Sequence, residues 1–171
     1  MIAPAAKAAV LFFFVAIVQV TIVSSIGIFG GSPDVVLVTL VAVALTQGSI
    51  FGAASGFWAG LLLDVARLGT LGFTSLLLTL AGFWIGRYGE TTGRDRAHAP
   101  LLSVAVVTVL YAAGSLAMHF LLREPAPAKV VLIDELPATV ALNLLLTFPV
   151  FWLVRRLFAT PQRAPEVEFV G

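Results

Sequence analysis

The residues equipped for chemistry are few. Asp34 and Asp64 are the two carboxylates that bound the longest run without a charge, residues 35–63. An ionisable group at the edge of an apolar segment serves a proton or ion path, a partner contact, or a structural bond that satisfies it. Asp34 follows Ser32-Pro33, which reads as a helix start with Ser32 as N-cap, Pro33 in the first helical position and Asp34 at the positive helix end. Asp64 can pair with Arg67 three residues on. These structural roles are the favoured reading, and a charge-assisted bond from either aspartate to a partner stays open. His119 reads as a satisfied interfacial residue rather than a proton relay. The chain has two histidines and no cysteine, so disulfides, zinc thiolates and thiol nucleophiles are excluded and other metal options are thin. No Gly-x-Ser-x-Gly, His-Glu-x-x-His or Walker loop occurs. Neither aspartate stands in the Gly-x-Gly-Asp setting of intramembrane aspartyl proteases. The expectation is no enzyme, no metal and no cofactor.

The elements that position these residues follow from the charge distribution. Of 171 residues, 60% are apolar and 11% charged, against about 45–50% and 25% in a soluble domain. Mean hydropathy is +1.05. A net charge of +1 gives no attraction to a polyanion, which excludes a nucleic-acid binder. Five charge-free stretches stand out, at 8–33, 35–63, 68–86, 97–122 and 136–154. Each is long enough to cross a ~30 Å hydrocarbon core as a helix. The first is longer than a signal-peptide core and is read as a retained helix. The run at 35–63 would make one helix of about 43 Å, too long for one span. It breaks at Thr46-Gln47-Gly48-Ser49. The pattern therefore predicts an all-α polytopic membrane protein with six transmembrane helices, at about 6–29, 33–46, 48–66, 71–88, 100–122 and 137–158. Residues 1–158 form one domain and 159–171 a flexible tail. The second helix is short for a span, which predicts little tilt, a thinned bilayer or an end below the surface.

With six spans and both termini cytoplasmic, seven basic residues lie inside (Lys7, Arg87, Arg94, Arg96, Arg155, Arg156, Arg163) and three outside (Arg67, Arg123, Lys129). Five spans would give six to four, so charge separates the two poorly, and the Gln47-Gly48 break decides for six. Trp84, Tyr88 and Trp152 then form an inner aromatic belt, and the loop at 123–136 is external.

Small residues recur at helical spacing. Gly48, Gly52, Gly56 and Gly60 are four apart and Asp64 continues the series. The stripe drifts by about 160° around the helix. Such a face lets another helix approach closely, either inside the bundle, which is favoured, or as a docking face for another membrane protein. Gly72, Ser75, Thr79, Gly82 and Gly86 form a similar face on the fourth helix, and Thr139, Asn143 and Thr147 a hydroxyl and amide face on the sixth. Core packing is favoured for both over a polar substrate cavity.

Pro33-Asp34 before a short apolar helix, a tight turn, Gly56-Phe57-Trp58-Ala59-Gly60-Leu61-Leu62-Leu63-Asp64, and then Leu71-Gly72-Phe73 with a small-residue helix form a pattern that resembles the rod shape-determining protein MreD family. The resemblance is specific over about 33–86. The family often carries basic residues in the turn after the second helix, where this chain has Thr46-Gln47-Gly48. The resemblance implies a non-catalytic integral protein of the bacterial cytoplasmic membrane that supports peptidoglycan synthesis and cell shape. It implies binding to MreC, a single-span protein, and through it indirect links to RodA, a penicillin-binding protein and MreB. It also implies a fold similar to the S components of energy-coupling-factor transporters, so a vitamin-binding S component is the alternative function. The expected partner contacts are Pro33, Asp34, Gly52, Gly56, Gly60, Asp64 and Gly72.

Overall fold

The computed structural model describes residues 2–22, 30–68, 70–92, 98–121, 132 and 135–158. Among them are six α-helices and no β-strand: α1 (Ile2–Thr21), α2 (Val35–Gln47), α3 (Ser49–Ala66), α4 (Phe73–Thr92), α5 (Ala99–Leu121) and α6 (Leu136–Phe158). Four of them, α1, α3, α5 and α6, are long and apolar enough to cross a membrane. The expected loop at 123–136 (apart from Leu132, Glu135 and the α6 residue Leu136), the tail at 159–171 and the basic residues Arg94, Arg96, Arg123, Lys129 and Arg163 lie outside the described residues. So do residues 23–29, where the first helix was expected to continue; the described α1 ends at Thr21.

Successive helices alternate in direction. Lys7 Nζ donates to the Leu157 carbonyl at 3.3 Å, which joins the start of α1 to the end of α6. Phe51 at the start of α3 meets Phe158 edge-on, with ring centroids 6.2 Å apart, at the same end. The opposite end gathers Gln19, Asp34 and Asn143.

α2 is the central post. It touches all five other helices, and every residue from Val36 to Leu45 is buried. Its sequence is apolar on all sides, as a helix enclosed by protein requires. At 13 residues it is about 20 Å long, shorter than the ~30 Å hydrocarbon core. The sequence predicts little tilt, a thinned bilayer or an end below the surface for this short element. The other helices surround α2, so its length need not match the bilayer. Gly48 divides it from α3 at the expected break. Its φ of 97° and ψ of −179° belong to a region open to glycine and costly for other residues. Its N–H closes α2 on the Ala44 carbonyl, and its carbonyl receives the Gly52 N–H, both at 2.9 Å.

α3 and α4 form an antiparallel pair with backbone against backbone. A Cβ at Gly52 would strike the Gly82 carbonyl oxygen, one at Gly56 the Leu78 carbonyl oxygen, and one at Gly60 the Ser75 backbone, all under 3.0 Å. The contact is mutual, since a Cβ at Gly82 would meet Gly52 and one at Gly86 would meet Gly48 and Ser49. The helix that the glycine stripe admits is thus α4 of the same chain. α4 also runs past its expected end near 88 to Thr92. Arg87 and Glu90, 3.6 Å apart, and the Thr91 hydroxyl, bonded to the Arg87 and Tyr88 carbonyls, support that last turn.

Gly56→Ala places a methyl group against a fixed carbonyl. Its expected cost is that of overpacking, about 1–3 kcal/mol, read as a lower unfolding temperature in detergent. Ala54→Val on the exposed side of the same helix is the control, with an expected change within about 0.5 kcal/mol.

Candidate functional site

The Asp34 end is built from backbone groups that lack helical partners and side chains that supply them. α2 begins at Val35, and its N-cap is Asp34, whose Oδ1 accepts the Leu37 N–H at 3.0 Å. This corrects the expectation of a Ser32 cap with Pro33 as first helical residue. The cause is Gln19 of α1, which grips the chain before the helix: its Nε2 donates to the Pro33 carbonyl at 3.1 Å and its Oε1 accepts the Val35 N–H at 2.8 Å. Pro33 is thereby held outside α2. The N–H groups of Ser32 and Asp34 go to α6. Ser32 donates to Thr139 Oγ1 at 3.3 Å and Asp34 to Asn143 Oδ1 at 2.7 Å. Asn143 is fully buried, and its Nδ2 donates to Thr108 Oγ1 of α5 at 3.0 Å. One amide therefore ties the start of α2 to α5 and α6. Thr147 bonds within its own helix, to the Asn143 carbonyl at 2.8 Å.

Asp64 has a parallel task. Its Oδ2 accepts the N–H groups of Gly72 at 2.8 Å and Ser75 at 3.4 Å, and its Oδ1 that of Thr74 at 3.2 Å. These are the donors that the start of α4 leaves without helical acceptors, and the negative charge suits that helix end. The expected pairing of Asp64 with Arg67 is corrected: among the described residues, the ion pair within 4.0 Å is Arg87–Glu90. Gly72 has φ +92° and open space where a Cβ would stand, so its requirement is conformational. Ser75 also bonds across the seam, from its Oγ to the Phe57 carbonyl at 3.0 Å.

The far end of the α3–α4 pair mirrors this arrangement. Glu90 of α4 accepts the Ser49 N–H at 2.7 Å and the Ser49 hydroxyl at 3.0 Å, capping α3. Glu90 lies beyond the apolar part of α4, which ends at Gly86. The Ser49 N–H, then the Ser49 hydroxyl, hold its carboxyl below the usual carboxylate range. Sequence reasoning missed Glu90 and Gln19. The signal for Glu90 is present: Gly82, Gly86 and Glu90 repeat the four-residue spacing of Gly56, Gly60 and Asp64 in the facing helix. Gln19 has no comparable signal, being a single amide in an apolar helix.

A cavity of about 350 Å³ opens at the Asp34 end, with Gln19, Asp34, Arg67, Tyr111, His119 and Asn143 in its wall. His119 Nδ1 lies 2.8 Å from the Ser115 carbonyl oxygen, and its side chain is exposed. Of the expected contact residues, Pro33, Asp34, Asp64 and Gly72 come to this end of the bundle, while Gly52, Gly56 and Gly60 descend the covered seam. No group of three His, Asp or Glu among the described residues can hold a metal ion.

The fold is an apolar helical bundle with a glycine seam, in which Asp34, Asp64 and Glu90 bond to helix-start N–H groups. The family model of the rod shape-determining protein MreD matches residues 6–157, and the chain belongs to that family. It is thus a membrane protein of the rod shape-determining system. No curated protein and no solved structure matches the chain.

Asn143→Leu leaves the Asp34 N–H and the Thr108 hydroxyl without this partner. The expected destabilisation is about 1–3 kcal/mol for each group left unsatisfied, measured by thermal unfolding in detergent. Asp64→Ala removes the α4 cap at an expected cost of about 0.5–2 kcal/mol by the same measurement.

Proposed function

We propose that the protein is a non-catalytic scaffold of the cell-elongation machinery in the bacterial cytoplasmic membrane, where it binds MreC and supports peptidoglycan synthesis. The observation that carries this reading is the family match across 6–157. RodA, a penicillin-binding protein and MreB are reached indirectly, through MreC. The internal bonding of the polar groups supports a passive role. Gln19 and Asn143 commit both ends of their amides to the protein itself, and Asp64 is occupied by three N–H groups.

The proposed topology has six spans with both termini cytoplasmic. Alternating helix directions support it, as do Lys7, Arg87, Arg155 and Arg156 at one end of the bundle against Arg67 at the other. The absence of cysteine makes single-cysteine labelling direct. Ser32→Cys is expected to react with an impermeant maleimide in intact cells and Thr160→Cys only after lysis; the reverse pattern overturns the topology.

We propose the MreC contact at the end that carries Pro33, Asp34, Asp64 and Gly72. Gly52, Gly56 and Gly60 act on it indirectly, by fixing α3 against α4. Two exposed leucines on the α3–α4 turn support this placement: Leu68, 93% exposed with a positive φ of 52°, and Leu71. Leu68→Asp combined with Leu71→Asp is expected to abolish co-purification of MreC without lowering the unfolding temperature. Retained co-purification moves the contact elsewhere.

The alternative, a vitamin-binding S component, would use the cavity of about 350 Å³. The prior commitment of its amides disfavours that use. A vitamin found by mass spectrometry in the purified protein would reverse the preference.

A further inference from the structure

A second recess lies on the outer surface, between α4 and α5. Its volume is about 500 Å³. The buried Leu78, Ile85 and Val107 form its floor, and the exposed Leu80, Trp84 and Val106 stand among its rim residues. The wall is apolar apart from Tyr88, Tyr111 and Ser103. Ser103 is 3% exposed, lines the recess, and its hydroxyl has no hydrogen-bond partner among the described residues. A buried polar group without a partner requires an explanation, and one explanation is an acceptor carried by whatever fills the recess.

The length of the recess selects its occupant. It begins at Tyr88, Leu102 and Ser103 and ends at Leu77 and Tyr111. Ser103 to Tyr111 is about 12 Å along a helix axis, close to one leaflet of a ~30 Å hydrocarbon core. Beyond Tyr111 the two helices close up, because a Cβ at Gly114 would meet the Leu77 side chain at 2.9 Å. A transmembrane helix of a partner crosses both leaflets and calls for a seam along the whole pair. A lipid chain needs one leaflet only.

The chemistry at the open end agrees. Trp84 and Tyr88 are residues that settle at the membrane–water boundary, and Ser103 lines the recess beside Tyr88. The ester carbonyls of a glycerophospholipid lie at that boundary and accept hydrogen bonds. Arg87, next to Tyr88, is exposed and suits an anionic headgroup.

We propose that the α4–α5 recess binds one acyl chain of a glycerophospholipid from the leaflet on the Arg87 side, with an ester carbonyl accepting the Ser103 hydroxyl. The site is independent of any MreC contact.

The full chain, stripped in detergent and titrated with dioleoylphosphatidylglycerol, is read by native mass spectrometry. A single lipid is expected to survive on the wild type under activation that removes loosely held lipid. Val106→Trp fills the recess and is expected to lower the lipid-bound fraction about tenfold, equivalent to about 1.4 kcal/mol. Ser103→Ala is expected to lower it about threefold through loss of one hydrogen bond. Leu145→Trp, on an exposed face of α6, is expected to leave it unchanged. Gel filtration and thermal unfolding check the fold. If Val106→Trp does not fold, Leu110→Trp blocks the recess from its rim and carries the same expectation. Equal retention in the recess-blocked, Ser103 and Leu145 variants overturns the proposal. So does a recess-blocked variant that keeps its lipid and loses MreC, which would assign the recess to a partner helix.

Discussion

The backbone contact between α3 and α4 is the constraint on which the bundle depends. In lipid, apolar side chains gain little by leaving the solvent, so helices associate through close packing and hydrogen bonds. Gly48, Gly52, Gly56 and Gly60, facing Gly86, Gly82, Leu78 and Ser75 in turn, bring two backbones together. Each helix then carries its carboxylate to the other's open N-terminus, Asp64 to α4 and Glu90 to α3. The close approach and the caps reinforce each other. A carboxylate at the end of one helix can reach the first N–H groups of its neighbour because the glycines hold the axes near. The caps in turn satisfy donors that are costly to leave unpaired at depth.

This pair and the flanking helices enclose α2, which explains the second set of bonds. The N-terminus of this short helix is partly covered by the chain, and side chains of other elements meet its open N–H groups. Gln19, Asn143 and the Asp34 carboxylate do so, from α1, from α6 and from the chain itself. These contacts join elements far apart in sequence, with Asp34 and Asn143 109 positions apart. The polar end of the bundle is therefore a fixed structure. Part of its cavity wall, Gln19, Asp34 and Asn143, consists of groups already engaged with the chain.

The helices were legible in the sequence because charge-free stretches and glycine breaks act locally. Gly48 marks the α2–α3 boundary where Thr46-Gln47-Gly48-Ser49 predicts it. The small-residue faces were legible as faces, since four-residue spacing fixes which residues share a side. Which helix meets them was open, and the structure gives α4. Side-chain bonding was less legible. Ser32 and Asp34 are both good caps, and the choice between them turned on a Gln19 clamp that no local pattern announces. Asp64 has Arg67 at pairing distance along the helix, yet three backbone donors across a turn outcompete it. Local spacing identifies candidates for a bond, and tertiary geometry selects among them.

The molecule inverts the usual use of polarity. Its interior carries Gln19, Asp64, Thr108 and Asn143, each bonded to another part of the chain, while its outer surface is largely leucine, valine, phenylalanine and tryptophan. Exposed apolar area is then no guide to a partner site, because the bilayer covers most of it. Departures from the pattern are more informative. The Ser103 hydroxyl is a buried polar group left without a partner among many that have one. Leu68 and Leu71 project from a turn rather than from a membrane-facing helix side. The two departures lie at opposite ends of α4, one beside Tyr88 and one just before Phe73. The proposed lipid site and the proposed partner contact thus lie at opposite ends of α4, and the glycine seam fixes α4 against α3 between them.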